Sequence, residues 1–537
     1  MKAITTKNAI EKIEVLLATL TSLVLLLTLS AHAAAPGITG PMFKLTAQAA
    51  YITQPDGQMI YSWGYGCSGS PSGYAPKLSS SFCNTMQVPG PTLIVTEGDT
   101  VSVTLANNLP AAAANTSILF PGFGVTATGG VPGLLAQEAV PGGMVTYQFK
   151  ASSPGTRAYY SGTQSDLQVE MGLYGVIIVL PAHVPSNCTS GAGNFAGHNG
   201  DAEAFWHESD YRLAPAAYDH PDTCYDREYL FQFSEMDPNI HFQAEAQVAA
   251  KAGCSAGTAG CSLDVPTEPY HPAYFMINGR SMPDDMDANY APEYPHQPYN
   301  GNPHMHPGEQ VLLRIVGQGR WQHPFHEHAN HVRILGRDGN LILSSGTVNY
   351  PSGTATGLAG PLLFTTTTTP GLAMDGIFYY TGRGLNWDMY GHHPGSSDPS
   401  ATLTCTPDAN GYNTSAPTAI NYYEWCQDHN KALEVNPFGD VGGGGPVTLP
   451  DPNILTNGTW YGGSPYLGPN ATGRAVGSTG TTPPSGTIGN SPTTEAGFAF
   501  MWHSHNEREI TTNNAFPGGM MMMMLVDSRE FVIDESN

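Results

Sequence analysis

Residues 89–105 read Pro89-Gly90-Pro91-Thr92-Leu93-Ile94-Val95-Thr96-Glu97-Gly98-Asp99-Thr100-Val101-Ser102-Val103-Thr104-Leu105, two strand-like runs bent around a Glu-Gly-Asp turn. From Thr100 the text alternates polar with apolar at period 2, which suits a strand with one face in a core and does not suit a helix. Further on, Tyr174-Gly175-Val176-Ile177-Ile178-Val179-Leu180 reads as a buried strand stopped by Pro181. Short strands separated by Gly and Pro turns predict a β-sandwich. The composition agrees, since 62 Gly, 44 Pro, 26 Tyr and only 12% charged residues favour strands and turns over long charged helices.

A chain of 537 residues has room for more than one such unit. The spacing of strand text predicts a first sandwich over 40–182, a linker over 183–226 and a second sandwich over 227–530. A Gly-, Pro-, Ser-, Thr- and Asn-rich insertion over about 385–495 interrupts the second. Residues 1–33 carry Lys2, Lys7 and Lys12, an apolar run over 15–29 and Ala31-His32-Ala33, the form of a cleavable signal peptide, although the run is also long enough for an anchor. The mature chain has no later apolar run of that length, so the prediction is a secreted or periplasmic protein without a membrane span. Eight cysteines agree with an oxidising compartment. Proximity pairs them as Cys67 with Cys83, Cys188 with Cys224, Cys254 with Cys261 and Cys405 with Cys426, out of about 105 connectivities. A net charge of −24 with only 20 Lys and Arg argues against a nucleic-acid partner.

Two segments carry metal-binding chemistry. One is His323-Pro324-Phe325-His326-Glu327-His328-Ala329-Asn330-His331; the other is Trp502-His503-Ser504-His505-Asn506-Glu507-Arg508-Glu509. On a strand, His-x-His puts both imidazoles on one face, where the pair can grip a metal. An all-imidazole set suits copper first and other transition metals next, and disfavours Mg and Ca. The predicted ligands are His326, His328, His503 and His505, with His323 and Glu509 beside them; Glu509 serves either as an oxygen ligand or as acceptor for a histidine N–H. Glu327 and Glu507 read as solvated or salt-bridged flanks. His304-Met305-His306 and His392-His393 read as surface features, and Met520 to Met524 as strand core in preference to a Cu(I) site.

Taken in order, several motifs resemble the multicopper oxidase superfamily, built from cupredoxin sandwiches. They are Pro89-Gly90-Pro91-Thr92, Glu97-Gly98-Asp99, Pro154-Gly155-Thr156, Gly172-Leu173-Tyr174-Gly175, Ile277-Asn278-Gly279, His323-Pro324-Phe325-His326-Glu327-His328 and Trp502-His503-Ser504-His505. The resemblance implies an all-β chain of two cupredoxin-like Greek-key sandwiches. It also implies a type 1 copper on two His and one Cys, which passes electrons through the flanking histidines to a trinuclear cluster on four His-x-His pairs.

The sequence departs from that pattern. Ser504 stands where the thiolate belongs, and Glu509 stands where a type 1 histidine belongs. Ile118-Leu119-Phe120-Pro121-Gly122 and Tyr159-Tyr160-Ser161-Gly162 stand where the first two His pairs belong. The expectation is an exported copper-binding protein, with a small-molecule or metal electron donor if it is an oxidoreductase without a type 1 centre. The alternative is a non-catalytic copper-sequestering or surface structural protein. A homo-oligomer supplying ligands in trans is a third arrangement.

Overall fold

The computed structural model describes residues 35–75, 82–188, 212–350, 352–380, 382, 406–414, 422–425, 427, 463–467, 488–489, 496–527 and 533. The leader 1–33, His392-His393, the Cys405–Cys426 couple and most of the 385–495 insertion lie outside them.

The first sandwich has two five-stranded sheets. In spatial order one runs Gly155–Tyr160, Tyr174–Leu180, Leu93–Thr96, Gly37–Thr39 and Tyr74–Ala75. The other runs Met59–Cys67, Met42–Thr53, Thr100–Asn107, Met144–Lys150 and Thr126–Gly129. Val101, Val103 and Leu105, the apolar members of the alternating run, meet Leu93, Val95, Ile177 and Val179 of the facing sheet in one core. The Glu-Gly-Asp turn therefore carries the chain from one sheet to the other. Gly98 takes φ +89, a region that side-chain-bearing residues avoid, and Thr96 N donates to Asp99 Oδ2 at 2.8 Å to close the bend.

Two seven-stranded sheets make the second sandwich. The main path of one runs Tyr274–Ile277, Arg227–Met236, Gln310–Gly317, Ala373–Tyr379, Val332–Arg337 and Asn340–Leu341. The main path of the other runs His304–Met305, Met521–Asp527, Ala496–Ser504, His323–Glu327 and Thr365–Thr368. Phe231, Phe233, Leu313 and Phe378 of the first sheet pack on Phe325, Phe500, Trp502 and Met522 of the second. The methionine run is core, with Met520, Met522 and Met524 all inside that cluster. The all-β, two-sandwich architecture expected from the sequence is the one observed.

Arg227–Met236 is buried at every position because its two faces serve different partners. One enters its own core. The other meets the first sandwich, where Leu230 joins Ala158, Val176 and Ile178. An ionic clamp lies in the same layer. Arg314 Nε and Nη2 each lie 2.9 Å from Glu228 Oε2, and Arg314 Nη1 donates to Thr156 Oγ1 at 3.0 Å. Asp375 accepts from Thr156 N, Thr156 Oγ1 and Tyr218 O–H. Thr156 belongs to the first sandwich, and Arg314 and Asp375 to the second.

Three of the four proximity pairings of cysteine are formed: Cys67–Cys83, Cys188–Cys224 and Cys254–Cys261. Two observations depart from the sequence reading. Pro238–Ala250 is an α-helix, capped by the Asp237 side chain and begun by Pro238, and it sets Ile240 and Ala244 into the first core. His304 and His306 are buried, 7% and 1% exposed, and are not surface residues. Their strand pairs with Met521–Asp527, and His304 Nδ1 lies 2.7 Å from Asp527 Oδ2 while His306 Nδ1 lies 2.9 Å from Asp527 O. Within 183–226, the described residues include the buried Ala216, Ala217, Tyr218 and Tyr225.

Candidate metal centre

His323–Glu327 and Ala496–Ser504 are adjacent antiparallel strands, with His326 directly opposite His503 and Phe325 opposite Ser504. Strand alternation then sorts the side chains. His326, His328 and His503 share one face, and His505, just past the strand end, joins them; Phe325, Glu327, Trp502 and Ser504 share the other, with His323.

On the first face, ring centroids of His326 lie 4.7, 5.6 and 5.0 Å from those of His328, His503 and His505. His328 Nε2 and His503 Nε2 are 3.1 Å apart. Two nitrogens bound to one tetrahedral ion at about 2.05 Å would stand roughly 3.3 Å apart, so this pair is nearly at ligand spacing. His326 Nδ1 faces Phe364 O at 2.5 Å and His503 Nδ1 faces Ser504 O at 2.7 Å. Carbonyl acceptors require N–H at Nδ1, which leaves the lone pair on Nε2; this is the arrangement that supports metal-bound imidazoles. Burial pulls His326 down to about 4 and also lowers His503, so both rings are neutral near pH 7. Trp502 Nε1 donates to His328 O at 3.1 Å, and Ala329 takes φ +82 immediately after, a strained geometry that ends the strand. Among the described residues, no three His, Cys, Asp or Glu side chains are drawn tightly enough to hold an ion as they stand. Ligation by the four therefore requires the rings to turn inward, and the all-imidazole donor set, with the tautomers of His326 and His503, fits a copper ion.

The structure does not bring His323 and Glu509 to this group. Both sit on the opposite face, where His323 is fully buried and both its ring nitrogens are occupied: Nε2 by Glu235 Oε2 at 2.8 Å, Nδ1 by Glu509 Oε2 at 2.9 Å. Burial works against a charge there, but the bonds and charges of Glu235 and Glu509 outweigh it and push His323 up to about 9. An imidazolium donating at both nitrogens has no lone pair for a metal. Ser504 Oγ donates to the same Glu509 oxygen at 2.5 Å, and Asn506 Nδ2 to the other at 2.9 Å. Glu235 is held by Arg320 N at 2.7 Å and Trp321 N at 2.9 Å.

Sequence reading missed Glu235, and with it Tyr270 and Glu170. The Tyr270 hydroxyl lies 2.7 Å from Glu170 Oε2 and 3.3 Å from Glu235 Oε1. Burial pushes the Glu170 carboxyl up to about 8 despite bonds from Tyr270 and Asp237 N. Glu327 is buried too, not solvated: Thr366 Oγ1 donates to Oε1 at 2.5 Å, and burial pushes it to about 8. Glu507 is exposed, as expected.

A multicopper oxidase family model matches residues 76–183. Over 98 residues the chain is 38% identical to multicopper oxidase MCE of Talaromyces pinophilus, covering 18% of this chain and 15% of that protein. Over 93 residues it is 41% identical to copper resistance protein A of Pseudomonas syringae pv. tomato, covering 17% of this chain and 14% of that protein. Over residues 76–183, then, this chain is similar to the multicopper oxidases. The matched segments span only 15% and 14% of those two relatives. A blue copper oxidase from Nitrosomonas europaea aligns in structure over 90% of this chain and 85% of its own at 15% identity, with a TM-score of 0.40.

Within the superfamily pattern, the two segments that stand at the first-domain His pairs are neighbours here. Leu119 N donates to Tyr160 O at 2.7 Å. The surroundings are apolar: Ile118, Leu119, Phe120, Phe123 and Leu135 line a 540 Å³ cleft.

These protonation states fix a pH dependence. His323 and Glu170 both have folded-state values above their ordinary ones, so their stabilisation is complete in acid and lost as pH rises through about 8 for Glu170 and about 9 for His323. The melting temperature is expected to fall from neutral pH to about pH 9 and then level off, with Glu327, also raised to about 8, adding to the first part. Glu170→Gln should flatten the first part of the decline; a melting temperature that climbs over the same interval would contradict these assignments.

Proposed function

We propose that the chain is an exported copper protein of the multicopper-oxidase type that works without a type 1 copper centre, its metal held by His326, His328, His503 and His505. The observation that carries this reading is the division across two strands. Four imidazoles, two of which (His326 and His503) have tautomers suited to ligation, occupy one face, and a closed His323–Glu235–Glu509–Ser504 network fills the other, where the thiolate site would lie. Copper bound at the four histidines supplies one-electron exchange. Around it, backbone carbonyls hold the tautomers of His326 and His503, and His505, whose side chain is 52% exposed, opens the group to solvent. A small-molecule or metal-ion donor is thereby able to reach it directly. Export is supported by the form of residues 1–33 and by three disulfides.

A second reading, copper sequestration without turnover, draws on the same network, because a doubly bonded His323 offers no copper relay to the histidines. Metal analysis and optical spectra of the purified mature protein, followed by oxygen uptake with phenolic, Cu(I), Fe(II) and Mn(II) donors, separate the two. The expected outcome is bound copper with no intense blue thiolate band and donor-dependent uptake. Copper without uptake supports sequestration, and an intense blue band would overturn the assignment of Ser504.

A further inference from the structure

We infer that Tyr270, reached from the surface through Trp321, is a one-electron, one-proton relay that feeds the histidine group by the route a thiolate would otherwise serve. The inference rests on the copper reading above for its final acceptor, but its first steps belong to this chain's own side chains. Trp321 is 38% exposed, and its ring meets Tyr270 edge-on at 5.6 Å between centroids. Tyr270 is nearly buried, and its hydroxyl lies between Glu170 and Glu235. One hydroxyl carries one proton, so it cannot donate to both. With Glu170 retaining its own proton at neutral pH, Glu170 donates to the Tyr270 oxygen and Tyr270 donates to the Glu235 carboxylate.

From Glu235 the chain of hydrogen bonds runs without a gap through His323 and Glu509 to Ser504, the residue between His503 and His505. The backbone is built around this point. Gly319 has φ +67, and a Cβ there would stand 2.5 Å from Glu235 Oε2, so only glycine lets the 319–321 segment wrap the carboxylate. Arg320 caps the other side, its guanidinium carbon 4.1 Å above the Tyr270 ring while it pairs with Glu268 at 2.6 Å.

Given a one-electron oxidant, which copper held by the histidines would supply, Tyr270 would lose one electron and its O–H bond would break as the proton passes to the Glu235 carboxylate, leaving a neutral phenoxyl. An external one-electron donor, a phenol or a low-valent metal ion, returns one electron through Trp321, and the proton moves back from Glu235.

The test uses the full chain stripped of metal, photo-oxidised with a ruthenium tris-bipyridine complex and a sacrificial quencher, then frozen for electron paramagnetic resonance. Ring-deuterated tyrosine identifies tyrosyl signals. Tyr270→Phe is expected to lose most of the tyrosyl signal, and Trp321→Phe, at a partly exposed position, to lower its yield while keeping its line shape. In copper-loaded protein, both variants should keep wild-type copper content and slow, without abolishing, the bleaching of bound Cu(II) by an added donor, because the direct route at His505 remains. An unchanged tyrosyl signal in Tyr270→Phe overturns the relay. Absence of bound copper in the wild type overturns the copper reading instead, and the metal-free radical experiment still decides the role of Tyr270.

Discussion

Arg314→Met is expected to destabilise the protein by about 3–5 kcal/mol, the cost of leaving buried charges without their counter-ion. Arg314 is 1% exposed and lies against two carboxylates, Glu228 at 2.9 Å and Asp375 at 3.6 Å. Burial alone would disfavour its charge, but Glu228, Tyr225 and Asp375 more than compensate and hold it protonated. Without the guanidinium, Glu228 keeps Tyr225 O–H and Leu213 N, and Asp375 keeps Thr156 and Tyr218. Neither set neutralises a carboxylate, so one must be protonated or solvated. Glu228→Gln added to Arg314→Met should recover part of the loss, because one stranded charge disappears with it. The readout is the urea midpoint at constant slope. A shift below about 1 kcal/mol, the range of surface pairs, would mean that the clamp is solvated.

What the sequence revealed and what it hid follow from distance along the chain. Alternation is a local signal, so the 100–107 strand and the common face of His503 and His505 were readable from a few residues each. The lateral pairing of His326 with His503 was inferred from the two His-x-His pairs together, and strand register delivers it. Glu235 gave a weaker local sign, a carboxylate at the end of Leu230-Phe231-Gln232-Phe233-Ser234. Its partner His323 lies 88 positions later, and nothing near either residue encodes that contact. The Pro238–Ala250 helix carried a readable start in Asp237-Pro238, but it buries only Ile240, His241 and Ala244 and lacks a strong apolar stripe. His304 looked like a loop residue because Pro307-Gly308 follows; a strand more than 200 positions away buries it, His304 Nδ1 to Asp527 Oδ2 having a separation of 223.

The sharpest experiment on the site compares two histidines, one from each face of the strand pair. His503→Ala removes the residue directly opposite His326, and copper affinity should fall by more than about 100-fold, since loss of even an outer partner of a metal ligand typically costs 10–100-fold. The loss of fold stability should be small, because among the described residues His503 bonds through Nδ1 to the adjacent Ser504 O and through Nε2 to His328, with no charged partner. His323→Gln should do the reverse. A glutamine keeps some hydrogen bonding but removes the positive charge between Glu235 and Glu509, so stability should drop by about 3–5 kcal/mol while copper affinity stays close to wild type. Isothermal titration with Cu(II) and urea unfolding on both variants give the four numbers. If His323→Gln loses copper as severely as His503→Ala, then His323 is a ligand after all and the two faces of the strand pair form one site. If the effects separate, serine and glutamate at positions 504 and 509 do more than delete a copper centre: they supply the acceptor and donor that keep His323 charged inside the core, which a thiolate and an imidazole in those places could not do.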